Sequence, residues 1–193
     1  MRRRPRSRSN FHRSFDLSRV AAHIRSVSTF LRHWPWTALA VSLAILAIVH
    51  GFETFGRLAP CELCLKEREV YWAAAGVGLA GGLLSLRVGR ARLWTCALLA
   101  LVFLGSAVLA GYHAGVEWKF WPGPEACTGS HVRITVEDMQ RLLRGAAMNI
   151  PRCDKPAFVF LGLSMAGWNA VVSLVLAVLS AVAGRLAYRR AEF

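Results

Sequence analysis

The chain has 193 residues, of which 55% are hydrophobic, and it combines a formal net charge of +13 with a mean hydropathy of +0.39. The apolar residues occur in long runs with basic flanks, a distribution that is typical of a membrane protein. Beyond the first 33 residues the sequence offers no basic face interleaved with aromatic residues, so the composition disfavours a nucleic-acid-binding protein.

The amino-terminal arm, residues 1–35, is strongly basic. Residues 1–33 contain nine arginines and a single acidic residue, Asp16. Apolar residues recur at helical spacing from Leu17 to Leu31 with arginines between them, which predicts a basic amphipathic helix on an anionic membrane face. A solvated tail that only sets the membrane topology explains the same charge equally well.

Four apolar segments follow, each near the roughly 20 residues that span a bilayer. The second is short unless the turn before it is included. The sequence therefore predicts an all-α membrane protein, with a four-helix transmembrane bundle over residues 36–186. The predicted segments are Trp36–Phe55, Val70–Leu86, Leu93–Tyr112 and Phe158–Ala183.

The distribution of arginines predicts the orientation of this bundle. Nine arginines lie in the arm, three lie between the second and third segments, and three follow the core of the fourth. Loops rich in Lys and Arg stay in the cytoplasm. Both termini, including a tail at 187–193, are therefore predicted to be cytoplasmic. The connections at about 56–69 and 113–156 then face the extracytoplasmic side.

The five cysteines divide by position. Cys96 lies inside an apolar segment, where a cysteine is usually a small buried hydrophobe. The other four lie in the two extracytoplasmic connections and form two candidate pairs, which favours an oxidising compartment. These four are Cys61, Cys64, Cys127 and Cys153.

The most informative stretch is Pro60–Arg68, a Cys-x-x-Cys directly before the second apolar segment. A helix that begins near Glu62 would place Cys61 and Cys64 in its first turn, where free N–H groups and the helix dipole stabilise a thiolate. Arg68 would lie on the same helix face one turn deeper. Its permanent charge would stabilise a thiolate or a reduced, anionic ring.

The long connection at 113–156 has predicted structure of its own. A capping box at Thr135–Asp138 and an apolar stripe within Met139–Ala146 predict a short amphipathic helix along the membrane surface. Cys127 and Cys153 bracket this helix. A purely structural disulfide between them would contribute on the order of 3–4 kcal/mol.

These motifs resemble those of the disulfide bond formation protein B (DsbB) family, inner-membrane enzymes that reoxidise the periplasmic thiol oxidase DsbA with a quinone. The similarity runs from Trp36 to the last apolar segment. It is carried by Pro-Cys-Glu-Leu-Cys at 60–64, Tyr-His-Ala-Gly-Val-Glu at 112–117, Trp-Pro-Gly-Pro at 121–124, Cys-Asp at 153–154 and Phe-Leu-Gly-Leu-Ser-Met at 160–165.

The resemblance implies a role for each matching residue. Cys64 would be the thiolate that meets the quinone ring, and Cys61 would exchange with the loop pair. Cys127 would form the mixed disulfide with the partner oxidase, and Cys153 would be its loop partner. Arg68 would be the quinone-site arginine.

The resemblance also implies a protein-dithiol:quinone oxidoreductase in the bacterial inner membrane. Its cofactor would be ubiquinone or menaquinone, its protein partner a DsbA-like thiol oxidase, and its surroundings the inner-membrane lipids with their quinone pool. His113 would hydrogen-bond the quinone or assist proton transfer, but a pair with Glu117 four residues later explains it equally well. Glu67 would either relay protons or simply be a charge at the membrane–water interface. The second interpretation is preferred.

A metal-binding or structural membrane module is the alternative function. The four paired cysteines and His113 could supply zinc ligands, although structural zinc sites prefer two short-spaced ligand pairs, and Cys127 lies far from Cys153 in sequence. Two further alternatives keep the redox chemistry. One is a dedicated donor in place of a general oxidase, and the other is a relative of vitamin K epoxide reductase, in which the quinone-linked Cys-x-x-Cys comes later in the bundle.

Overall fold

The structure, a computed structural model, describes residues 30–56, 58, 60–124, 136–144 and 152–191. Its helices are α1 (Trp34–Thr54), α2 (Glu62–Ser85), α3 (Ala91–Glu117), α4 (Val136–Leu143) and α5 (Met165–Ala191). A two-stranded antiparallel sheet, β1 (Val159–Phe160) and β2 (Leu163–Ser164), lies directly before α5. The amphipathic helix predicted for the amino-terminal arm lies outside the described residues.

Three helices, α1, α3 and α5, are long and apolar enough to cross a membrane. Helix α2 is 24 residues long, but its first two turns are rich in charged residues. Its apolar part begins only at Val70, as the sequence predicts, and is short for a span. Many apolar side chains on the outer faces of the bundle remain exposed, among them Leu101, Val108 and Leu174, which suits helices that face lipid.

The predicted beginning of the last apolar span is wrong. The sequence predicts a span from Phe158, but the chain from Val159 to Ser164 forms a β-hairpin. Leu161 and Gly162 have positive φ angles of 49° and 81°, and two successive residues of this kind form a tight hairpin turn that a helix cannot contain. The apolar residues of this segment therefore lie in a hairpin beside the bundle.

Two helices extend beyond the predicted ends. Helix α3 continues past Tyr112 to Glu117, so His113 lies inside a helix and not at the beginning of the connection. Helix α5 continues to Ala191, through most of the predicted tail at 187–193. Because this helix is longer than predicted, His113 lies within the bundle, where it is buried.

The helices pack as a bundle in which α2 contacts α1 and α3, and α3 contacts α5 along much of its length. Helices α1 and α5 approach each other far less. Trp34, Leu99 and Phe103 fill the core and are almost completely buried. The indole N–H of Trp34 donates to Ser180 Oγ at 2.8 Å, which ties α1 to α5 at one end of the bundle.

Glycines in α2 let the neighbouring helices approach closely, as small-residue spacing predicts. A Cβ atom on Gly78 would lie 2.9 Å from the carbonyl oxygen of Pro35 and 3.1 Å from the backbone nitrogen of Leu39, both on α1. A Cβ atom on Gly81 would overlap the side chain of Thr95 on α3. Helix α2 therefore packs against both neighbours through its glycines.

Gly78→Ala is expected to lower the free energy of unfolding by about 1–3 kcal/mol, because the backbone of α1 cannot move aside as a flexible side chain can. Gly76→Ala is the matched control, since no atom of the described residues lies within 4 Å of its Cβ position apart from its own helix turn and chain neighbours. The control is expected to be neutral or to gain up to about 1 kcal/mol from helix propensity. Thermal unfolding in detergent, followed by tryptophan fluorescence, measures both. Equal transition temperatures would contradict the close approach of α1 and α2.

Candidate active site

The two cysteines of the Cys-x-x-Cys lie at the beginning of α2, as predicted. Cys61 is the N-cap residue of this helix, and the backbone N–H of Cys64 donates to Cys61 Sγ at 3.3 Å. Both residues are free thiols whose Sγ atoms lie 2.9 Å apart. Because a disulfide bond is about 2.05 Å long, a small movement of the two side chains would close it.

The surroundings of Cys61 stabilise its thiolate. A hydrogen bond from the Cys64 thiol is the largest cause that lowers the pKa of Cys61, and backbone N–H groups of the first turn lower it further against the opposing effect of burial. An anion at a helix N-terminus is stabilised in the same way by the helix dipole. Of the two free thiols, Cys61 is therefore the one whose surroundings favour the thiolate.

His113 reaches the cysteine pair from α3. Its Nε2 lies 3.7 Å from Cys61 Sγ, and its Nδ1 lies 2.7 Å from Glu67 Oε1. An ionised carboxylate only accepts hydrogen bonds, so Nδ1 carries the proton and Nε2 is free to accept one from the thiol. His113 thus hydrogen-bonds Glu67 and not Glu117. The interpretation of Glu67 as an interfacial charge is wrong, because this side chain is buried between helices.

Glu67 has a second partner across the bundle. Asn169 on α5 donates through Nδ2 to Glu67 Oε2 at 2.6 Å, and the Tyr71 hydroxyl donates to Asn169 Oδ1 at 2.5 Å. Ser173 and Ser106 continue the chain of contacts into the bundle. The sequence analysis missed these residues. Their signal was the presence of polar side chains one turn apart within apolar helices, where polar groups are rare and usually functional.

Arg68 lies one turn deeper on α2 and is partly paired. Its Nη1 donates to Glu53 Oε2 on α1 at 2.5 Å. Its Nε is buried and has no hydrogen-bond partner among the described residues, and the same holds for Glu117 Oε2. Because buried polar atoms are nearly always hydrogen-bonded, these two atoms are candidates to bind a polar group of a ligand.

One cavity of about 550 Å³ brings these groups together. This volume lies within the range of about 300–1,000 Å³ that is usual for small-molecule sites. Five predicted site residues line the cavity: Cys61, Cys64, Glu67, Arg68 and His113. The apolar wall comes mainly from α1 and α5, through Ile45, Val49, Phe52, Trp168 and Val172.

Cys153 lies beside the cysteine pair and does not line the cavity. It is completely buried and disulfide-bonded. It packs in one apolar cluster with Cys61, Leu63 and Val116. Cys127 lies outside the described residues, so its pairing with Cys153 stays a prediction.

Ion pairs attach the segment that carries Cys153 to the end of α3. Lys119 Nζ donates to the Asp154 carboxylate at 2.7 Å and to its backbone carbonyl at 2.6 Å, and Arg152 donates to both carboxylate oxygens at 2.8 Å. These hydrogen bonds, that of Arg152 first, hold the pKa of Asp154 well below its usual range. The ion pairs are therefore present at neutral pH and are lost only when acid protonates Asp154.

The metal-binding alternative finds three donors in the site. Ligand atoms of Cys61, Cys64 and His113 lie within 4.8 Å of one another. A structural zinc site takes four ligands, and the part of the chain that the structure describes adds no fourth to this group. The sulfur of Cys153 is held in a disulfide. The arrangement therefore suits a redox dithiol with an adjacent base better than a closed metal site.

Comparison with known proteins agrees with this chemistry. The family described as Disulfide bond formation protein DsbB matches residues 31–183. Disulfide bond formation protein B of Paracidovorax citrulli is 30% identical over 162 residues, which cover 78% of this chain and 87% of the relative. Disulfide bond formation protein B 2 of Pseudomonas entomophila is 28% identical over 150 residues, 76% and 86% of the two chains. An uncharacterized protein of Rickettsia prowazekii is 26% identical over 142 residues, 72% and 78% of the two chains.

The family match contains every residue that lines the cavity, together with both cysteine pairs. It also covers α1, α2 and α3 completely and most of α5. An oxidoreductase that forms disulfides is expected to contain both features of this site, a free dithiol and, next to it, a disulfide-bonded cysteine. The chain therefore belongs to the disulfide bond formation protein DsbB family.

Proposed function

We propose that the protein oxidises a periplasmic thioredoxin-like thiol oxidase of the DsbA type and passes the electrons to a membrane quinone, so that disulfides are made de novo. The observation that carries this proposal is the cavity, which is lined by a free dithiol, a histidine and an arginine together with apolar side chains. Family membership supports disulfide formation in general. The donor, the quinone and the order of transfer are what the proposal adds.

The residues of the cavity fit a quinone, which is a flat apolar ring with two carbonyl oxygens. The unpartnered Nε of Arg68 supplies a donor to one such oxygen. Phe52 and Trp168 supply apolar surface for the ring. His113 also lines the cavity, and Glu67 acts there through His113. Ubiquinone or menaquinone bound at this place would supply the two-electron oxidation of the dithiol.

Two cysteine pairs would divide the work between them. Cys64 lines the cavity and is proposed to face the quinone. Cys61 packs with Cys153, which supports its role in exchange with the loop pair. In the proposed exchange, Cys127 attacks Cys153 in a mixed disulfide between Cys153 and Cys61. The Cys127–Cys153 bond forms, the Cys153–Cys61 bond breaks and Cys61 leaves as a thiolate, a departure that a lowered thiol pKa speeds. Cys127 would accept electrons from the donor.

The proposed location is the bacterial inner membrane, with both termini in the cytoplasm. Three helices are long and apolar enough to cross it, and α2 would be the fourth crossing. The arginine bias supports cytoplasmic ends, and with them periplasmic connections at 56–69 and 113–156. Cys61, at the beginning of α2, would then lie at the periplasmic surface. The arm at 1–35 would contact inner-membrane lipids on the other side.

Cys127→Ser is expected to abolish quinone reduction by a reduced thioredoxin-like donor, because the donor would lose the sulfur at which electrons enter. The measurement is the ultraviolet absorbance of ubiquinone with lipid-reconstituted protein. Cys96→Ala is the matched control, since Cys96 is a free thiol completely buried in α3, and its activity is expected to stay near that of the natural protein. Full activity of Cys127→Ser would contradict the relay, and a folded natural protein without quinone reduction would contradict the proposed function.

Arg68→Gln is expected to raise the KM for quinone about tenfold, since a charge-assisted hydrogen bond contributes about 1.5–3 kcal/mol. Thiol–disulfide exchange with the donor is expected to stay unchanged. Lys66→Gln removes the same charge from an exposed position of α2 outside the cavity and serves as control. The titration uses a soluble ubiquinone analogue. Equal KM values for the two variants would exclude Arg68 from the quinone site.

A further inference from the structure

A chain of buried polar groups lies behind Glu67, and the proposed roles of the cysteines do not use it. It runs from Ser106 through Ser173, Tyr71 and Asn169 to Glu67, with successive distances of 2.9, 2.9, 2.5 and 2.6 Å. Ser106 and Ser173 are completely buried. Polar groups within an apolar bundle are unfavourable unless they are hydrogen-bonded, and a continuous chain of them rigidifies the side chains at its end.

Every donor in this chain points toward Glu67. Asn169 donates through Nδ2 to the carboxylate, so its Oδ1 accepts the proton of the Tyr71 hydroxyl. Tyr71 has no second proton, so Ser173 is the donor in their 2.9 Å contact; Ser173 Oγ also lies 3.4 Å from Asn169 Oδ1, which it can reach as a second acceptor. Ser106 donates in turn to Ser173. Aligned hydrogen bonds polarise one another, so the chain holds the Glu67 carboxylate in a single orientation.

The fixed carboxylate determines where His113 points. Glu67 Oε1 accepts from His113 Nδ1 at 2.7 Å, and the opposite nitrogen of the ring, Nε2, lies 3.7 Å from Cys61 Sγ. A nucleophile, a base and an orienting carboxylate in this order form the arrangement that activates cysteine and serine nucleophiles. The carboxylate of such a set needs its own support in order to hold the ring.

We propose that Asn169 and Tyr71 are positioning residues, which fix Glu67 and through it His113, so that His113 Nε2 takes the proton of the Cys61 thiol. In this step the S–H bond of Cys61 breaks and an N–H bond forms on the imidazole. A thiolate is left beside an imidazolium that the Glu67 carboxylate stabilises. The inference rests on the proposed function, which explains why a Cys61 thiolate is needed. The proton transfer itself requires no quinone.

Other charged or titratable groups lie near Cys61 and His113 on the neighbouring elements. Cys64 and Glu117 act electrostatically on His113. Arg68 is paired with Glu53 on α1. The groups that line the cavity besides Glu67 are Glu53, Cys64, Arg68, Glu117, Arg152 and Lys155. The positioning residues carry no charge, so their replacement leaves these electrostatic contributions in place.

Tyr71→Phe removes the hydroxyl and keeps the ring that packs against Phe103. The measurement is the rate of Cys61 alkylation by iodoacetamide against pH, in the reduced full-length protein in detergent, with the modified peptide identified by mass spectrometry. Alkylation is expected to be about tenfold slower than in the natural protein at neutral pH, because the oriented base is lost. The deficit is expected to shrink as the pH rises past about 8.5, where a thiol ionises without help.

Ser180→Ala is the matched control. Ser180 is completely buried in α5, as Ser173 is, but it hydrogen-bonds Leu176 and Trp34 and not the chain to Glu67. Its alkylation profile is expected to equal that of the natural protein. If Tyr71→Phe does not fold, Ser173→Ala takes its place in the same comparison.

A double variant separates positioning from a general structural effect. Tyr71→Phe is expected to slow Cys61 alkylation no further when His113 is already replaced by Gln, because Tyr71 acts through His113. An undiminished effect in that background would overturn the proposal, and so would a Tyr71→Phe profile equal to that of Ser180→Ala. Failure of the natural protein to reduce quinone would overturn the proposed function alone, because the alkylation measurement uses no quinone.

Discussion

The buried carboxylate of Glu67 is the interaction on which the site depends. It accepts hydrogen bonds from His113 on α3 and from Asn169 on α5, so that one side chain of α2 connects three helices beside the cysteine pair. A buried charge that lacked these partners would destabilise the bundle by several kcal/mol. The helices must therefore meet in the arrangement that supplies both donors. The same arrangement places the histidine ring next to Cys61 Sγ.

Close packing at one end of the bundle is compatible with a cavity at the other end. Near the beginning of α1, the glycines of α2 bring the two backbones into direct contact, as Gly78 does against Pro35. Near the end of α1, the two helices are connected instead by long side chains, through the ion pair between Arg68 and Glu53. Helices α1 and α5 approach each other little. The glycines thus keep the helices in close contact at one end of the bundle. The long charged side chains at the other end leave room for a ligand beside Cys64.

Short-range features of the site could be predicted from the sequence, and long-range ones could not. The positions of Cys61, Cys64 and Arg68 at the beginning of one helix follow from their spacing alone. The pairing of Glu67 with His113 and with Asn169 joins residues 46 and 102 positions apart, which periodicity does not reveal. The hairpin before α5 was missed for a local reason. Its apolar composition resembles a span, and only the positive φ angles at Leu161 and Gly162 show the reversal of the chain.

Cys153 is held differently from the Cys61–Cys64 pair, and this difference suits the proposed transfer of electrons between them. Cys61 and Cys64 are built into a helix terminus whose backbone stabilises a thiolate. Cys153 is held beside Cys61 by apolar packing, and its segment is attached by the exposed Lys119–Asp154 ion pair. Exposed ion pairs contribute little free energy, so this attachment sets a position without making it permanent. Cys153 can therefore stay close to Cys61 while its segment keeps some freedom to move, as the proposed exchange between the two pairs requires.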